Sequence, residues 1–229
     1  TWSMPAPPDT YGAIVGDPNC QLGYATENGY PKASHIYEKS FYNAVTDEYW
    51  IVQGGSSAYS NAVYCAKGPS YLAKWSFIDN SWTLANKPPG GIGGATETAG
   101  DFDTMTGRWW FVGGGWNATA RVGYYDPATD TWAAGRYDNI IASAGPRVTV
   151  VDSSRRLVVM FNQSKIYALP MEDFVEGATK IINFEVNYSG DAPPSPRGQS
   201  WGRMGIAYDP VSTNIIAWDG INDAVYSLD

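Results

Sequence analysis

At 229 residues the chain is long enough for a sizeable core, and its formal charge of −8 repels a polyanionic partner over most of the surface, which argues against nucleic acid. No apolar run approaches the roughly 18 residues needed to span a bilayer. Aromatics at 14% with 25 glycines and 15 prolines suit many short strands joined by tight turns, so we expect an all-β chain forming a single domain over residues 1–229.

Thr1-Trp2-Ser3-Met4 matches the last strand of a repeat seen later at Thr131-Trp132, and we expect it to complete a final blade beside Val225–Leu228. With neither an initiator Met nor a signal peptide ahead of Thr1, the chain reads as a processed product or a piece of something longer. Pro5 to Ala33 is a long connection rich in Pro, Gly, Tyr and Asn, of the kind that is functional or loosely ordered.

Four hairpins follow. SFYNAVTDEYWIVQGG turns at Thr46-Asp47 and ends at Gly54-Gly55. The second begins in Glu97–Asp103, turns at Thr104-Met105-Thr106-Gly107 and runs through Arg108–Val112 to Gly113-Gly114-Gly115. VTVVDSSRRLVVMFN turns at Ser153-Ser154 and ends at Phe161-Asn162 without glycines, and GIAYDPVSTNIIAWDG turns at Ser212-Thr213 and ends at Asp219-Gly220. Each hairpin is followed by a second pair of short strands. The clearest is Arg121–Tyr125, a turn at Asp126-Pro127-Ala128-Thr129-Asp130, then Trp132. The others are Trp75–Asp79 with Trp82, Ile166–Leu169 with the distant Phe184, and Val225–Asp229. Met171 to Lys180 reads as room for a helical turn. The period between glycine positions is roughly 48 to 60 residues, the range of a propeller blade.

The pattern of a strand ending in double glycine, then an aromatic, then Trp resembles the kelch repeat. Gly113-Gly114, Tyr125 and Trp132 match it best, and Gly54-Gly55, Phe77 and Trp82 come next. Pro146-Arg147 and Pro196-Arg197 resemble the start of a kelch blade. The resemblance implies a β-propeller of four-stranded antiparallel blades, about four of them here: residues 32–87, 88–136, 137–190, and 191–229 with 1–4. Either the N-terminal strand closes the ring or the chain is a fragment of a larger propeller. Loops after the second strands and between blades would emerge on one face, giving Ser56, Tyr59, Trp116, Tyr137, Asn162, Arg197, Trp201 and Asp219 as ligand-binding residues. Arg197 reads equally as a blade-start residue bonded to backbone carbonyls.

Catalytic chemistry is thinly supplied. His35 is the only histidine, so the chain alone lacks the two His ligands of the galactose-oxidase-like kelch enzymes, and a Ser/His/Asp triad would need His35 beside a nucleophile on an elbow, where no G-x-S-x-G occurs. Asp101, Asp103, Asp152 and Asp209 would serve a two-carboxylate glycosidase, but at hairpin turns they read as solvated turn residues. Asp219, Asn222 and Asp223 offer oxygen ligands for calcium, though a loop of that composition is more often just polar. We expect no catalytic residue, no metal and no cofactor, and a non-enzymatic extracellular module that binds a protein or glycan, or acts as a scaffold. The alternatives are a fragment of a secreted carbohydrate-active or copper radical oxidase-type kelch enzyme, and a structural subunit of an extracellular assembly.

Sequons at Asn117, Asn162 and Asn187 point to secretion and glycosylation. Cys20 and Cys65 have no metal-type spacing and read either as two separate buried thiols or as a disulfide tying the N-terminal segment to the first blade. We expect the bond, worth about 3 kcal/mol for a closed loop of this order. Thiol titration of the native protein should then find no free cysteine, and two reactive thiols would contradict it.

Overall fold

A computed structural model describes residues 40–53, 71–86, 98–113, 120–137, 147–162, 165–180, 185–187, 189–190, 204–219 and 224–229. Its compact units are Thr1–Thr96 and Glu97–Asp229. The described residues are strands and the turns that join them, with one 3-10 turn at Met171–Asp173, and among them no helix is long and apolar enough to cross a membrane.

Among its described residues the first unit has one sheet of β1 (Ser40–Asn43), β2 (Glu48–Gln53), β3 (Tyr71–Ser76) and β4 (Ser81–Leu84), antiparallel in chain order. Its buried residues include Trp50, Val52, Leu72, Ala73 and Trp75. Cross-strand aromatics reinforce it: Trp75 lies opposite Trp82 with ring centroids 5.4 Å apart, and Phe41 opposite Trp50 at 5.3 Å.

The second unit repeats this plan. β5 (Ala99–Asp103), β6 (Arg108–Gly113), β7 (Ala120–Asp126) and β8 (Thr131–Tyr137) pair antiparallel in order, and β12 (Thr179–Lys180) adds a short parallel strand outside β8. The helical turn expected within Met171–Lys180 is therefore only the 3-10 turn. The segment's end pairs with the sheet instead, and the Gly177 N–H donates to the Ala134 carbonyl at 2.8 Å. A third sheet has β9 (Arg147–Asp152), β10 (Leu157–Asn162) and β11 (Lys165–Pro170). Its fourth position holds one antiparallel bridge, Tyr167 to Glu185, while Phe184, read from the sequence as this blade's last aromatic, lies outside the described residues. The fourth sheet is β13 (Met204–Asp209), β14 (Asn214–Asp219) and β15 (Ala224–Leu228).

The third sheet is buried on both faces, which is why its strands read as unbroken apolar runs rather than alternating ones. Val151, Val158, Met160, Tyr167 and Leu169 pack against Trp110, Val112 and Val122 of the second sheet. Val148, Val150, Val159, Phe161 and Ile166 pack against Ile215 and Ala217 of the fourth. The period-2 alternation survives, but both sets are apolar because both have a sheet to meet.

One turn chemistry closes all four first hairpins. The last residue of each first strand, Asn43, Asp103, Asp152 or Asp209, accepts a backbone N–H from within its own turn at 2.9 to 3.1 Å. The last turn residue has positive φ in every case: Asp47 (52°), Gly107 (72°), Arg156 (59°) and Thr213 (60°).

Gly123 and Gly205 test the packing by the same substitution. A Cβ on Gly123 would lie 2.0 Å from the Ala133 carbonyl oxygen and 2.7 Å from the Phe111 ring, whereas on Gly205 the nearest atom is 3.5 Å away in Trp218. Gly123→Ala should cost about 3 kcal/mol and lower the melting temperature by many degrees, while Gly205→Ala should leave it nearly unchanged.

Candidate functional site

Each sheet has two ends. At one lie the four-residue turns, and at the other the second strands finish and the third begin. In the second sheet the latter end is marked by the pairs Gly113–Arg121 and Ala120–Tyr137, in the third by Arg147–Asn162–Lys165, and in the fourth by Met204–Asp219–Ala224. Three expected ligand residues, Tyr137, Asn162 and Asp219, thus finish their strands at this rim. Ser56, Tyr59, Trp116, Arg197 and Trp201 lie outside the described residues, as do His35, Cys20, Cys65, Asn117, Asn222 and Asp223. Asn187 is exposed just past the Glu185 bridge, where the Val186 N–H donates to the Ile166 carbonyl at 2.8 Å.

The rim of the second and third sheets is basic. Arg121 lies directly opposite Arg136, and Thr179 follows beside Arg136, so the three share one face. Arg147 and Lys165 begin β9 and β11, and Lys165 pairs with Glu185 at 2.8 Å. The arginine pair was passed over in the sequence, although counting outward from the turn at 127–130 finds it: Asp126 pairs with Thr131, and five residues further on each strand come Arg121 and Arg136.

The turn end carries carboxylates, and here the expectation of solvated turn residues is corrected for three of four. Asp103 is fully buried and receives Thr106 (2.5 Å), the Met105 N–H (3.1 Å) and the Arg156 guanidinium (2.6 Å). Burial alone would raise its carboxyl, but these donors outweigh burial and hold it below the usual range. Asp152, also buried, is held low in the same way by Arg155 and Ser154 against the opposing effect of burial. Arg155 also donates to the Thr213 carbonyl at 2.5 Å, linking the third sheet to the fourth. Asp101 sits in β5 rather than in the turn, and its oxygens accept the N–H groups of Val151 (2.9 Å) and Phe102 (2.8 Å). Burial raises its carboxyl despite both bonds. Asp209 stays at the surface, lowered by Ser212 and the Val211 N–H. These groups join neighbouring sheets: Asp101 caps an N–H on β9, and Asp103 anchors the β9–β10 turn through Arg156. Among the described residues no three His, Cys, Asp or Glu side chains converge on a metal position.

Neither a scan of protein-family models nor a search of curated proteins finds a match to the chain.

The Asp103–Arg156 pair generates a test. Removing Arg156 leaves a buried carboxylate short of its cation, and because a third of the Arg156 side chain is exposed (34%) the cost should be about 2 kcal/mol rather than that of a fully buried pair. Asp103 and Asp152 have folded pKa values below their unfolded ones. Their contribution is therefore present above about pH 4 and lost as pH falls through the folded values, with Asp101 working in the opposite sense. Urea melts from pH 7 to pH 3 should show the wild type losing stability below about pH 4, and Arg156→Ala losing less over the same interval.

Proposed function

We propose that the chain is a kelch-like β-propeller of about four blades that serves as a non-enzymatic extracellular binding or scaffold module, recognising a protein or glycan through its loop face. The observation that carries the reading is the serial stacking of the second, third and fourth sheets. The first strand of the third sheet, β9, contacts β5 on the second and β13 on the fourth. Face packing runs the same way, from Trp110 and Val112 to Val158 and Met160, then from Val159 and Phe161 to Ile215 and Ala217. Sheets joined through their first strands and stacked face to face in chain order are the arrangement of propeller blades.

The fourth sheet continues the same register. Counting from the first-hairpin turn, Ile216 and Trp218 occupy the positions of Trp110 and Val112, which seat the next sheet, and Trp218 is 51% exposed. A propeller gives that row a following blade.

Binding, rather than catalysis, is the better-supported class for this geometry. The buried carboxylates are committed to turns and to links between sheets, whereas the opposite rim gathers strand ends and loop starts on a rigid frame. Three sequons, one of them at exposed Asn187, support the extracellular setting.

Trp116→Ala and Trp201→Ala should each lower capture of a ligand from a glycan array or a native-source pull-down by about tenfold or more, with unchanged melting temperature. Retention of every partner at unchanged affinity would remove this face from consideration and turn attention to Pro5–Ala33.

A further inference from the structure

We propose that the two turns of the first sheet, 44–47 and 77–80, form a docking patch for a cationic protein segment, one that seats an apolar side chain between flanking lysines or arginines. The patch lies at the turn end of its sheet, and it stands or falls separately from the reading of the loop end as the ligand face. The Phe77 N–H donates to the Asp47 carbonyl at 3.1 Å, so the two turns lie side by side. Val45 (72%) and Ile78 (76%) are exposed there. Tyr42 and Phe77, each more than half exposed, meet edge to face with ring centroids 6.1 Å apart.

The sheet itself does not require these side chains. Trp75, not Phe77, stands opposite Trp82 in the aromatic ladder. The second sheet makes the same four-residue turn from Pro127 and Ala128, and its last residue, Asp130, has nearly the φ of Asn80, 51° against 53°. Apolar side chains left in water on both neighbouring turns are therefore unexplained by the fold, and such a patch marks a partner surface. Its border sets the partner's charge. Asp47 accepts the Tyr42 hydroxyl at 2.7 Å, Glu48 the Thr46 hydroxyl at 2.6 Å and the Trp50 indole N–H at 2.8 Å, and Asp79 the Ser76 hydroxyl at 2.9 Å, which fixes three carboxylates beside the apolar groups. Among the described residues of this sheet Lys74 is the one cation, and it lies over the Trp50 ring in mid-strand. A second copy docked on the same patch would set these acids against themselves, and an anionic lipid surface or glycan would meet the same repulsion. Val45 and Ile78 offer branched side chains rather than a flat ring for a sugar to stack on. An apolar side chain flanked by Lys or Arg satisfies both the apolar groups and their acidic border.

The experiment is selection of a random linear peptide library on the full chain, followed by fluorescence polarisation with the strongest binder. The selected peptides should carry Lys or Arg on both sides of an aliphatic or aromatic residue, and their binding should weaken as salt rises. Ile78→Ser and Val45→Ser should each weaken the strongest binder at least about fivefold, with unchanged melting curves because both side chains are exposed. Asp79→Asn, which keeps an acceptor for Ser76, should weaken it and reduce its salt dependence. The proposal falls if no peptide is enriched, if the enriched peptides are neutral or acidic, or if the variants bind them as the wild type does. It also falls if the chain alone sediments as a dimer that Ile78→Ser dissociates, which would give the patch to a second copy, or if that change abolishes flotation with zwitterionic vesicles, which would give it to a lipid surface. Loss of peptide binding in Trp116→Ala or Trp201→Ala but not in Ile78→Ser would overturn this patch while leaving the loop end as the binding face.

Discussion

A sheet of three or four strands has two faces to cover, and in this chain covering them governs the rest. The third sheet shows the constraint most plainly, since Val158 and Met160 require the second sheet and Val159 and Phe161 require the fourth. An isolated sheet of this size would be marginal in water. Stacking supplies the missing apolar contact on each side, and it fixes the direction in which strand ends project. The rim is therefore a product of the core, and its residues are held by strands whose own positions leave little freedom.

Polar groups reinforce the same stacking where apolar contact ends. Asp101 reaches a backbone N–H on β9, Arg156 returns from the β9–β10 turn to Asp103, and Arg155 reaches forward to the Thr213 carbonyl. Each link joins consecutive sheets near the turns. The arrangement divides labour between the two ends: acidic residues at the turns are consumed in holding sheets together, while the basic residues at the rim lie on the face that the loops leave from. An acidic protein can in this way present a locally basic edge.

Much of the fold was legible because the signals were local. The turns at 104–107, 153–156 and 210–213 contain the residues that marked them, since Asp before a short polar run caps its own backbone and the strands on either side are β-branched or aromatic. Tyr125 and Trp132, singled out by the repeat pattern, pair directly across β7 and β8, and the register adds Trp109 on the other side of Tyr125. What escaped required knowledge of distant partners. β12 is two residues long and pairs parallel with β8 after a 3-10 turn, a contact that no periodicity announces. The burial of Asp103 was misread because its partner Arg156 lies in the third hairpin and only stacking brings the two together, whereas Asp152 has its partner Arg155 three residues on and owes its burial to its place in the stack. Arg121 and Arg136 were legible in principle, but they looked like ordinary polar strand ends until the register set them side by side.

The central claim is that the third sheet is held from both faces and positions the rim through that burial. Amide hydrogen exchange across Glu97–Asp229 tests it most directly, because protection reports the free energy of opening segment by segment. The account predicts that β9 and β10 are the slowest strands of the unit, and that replacing Phe161 by Ala accelerates exchange in β10 and in β14 across the interface together. If β9 and β10 exchange as fast as the exposed strand β15, or if the Phe161 substitution leaves β14 untouched, the sheets do not depend on one another as described.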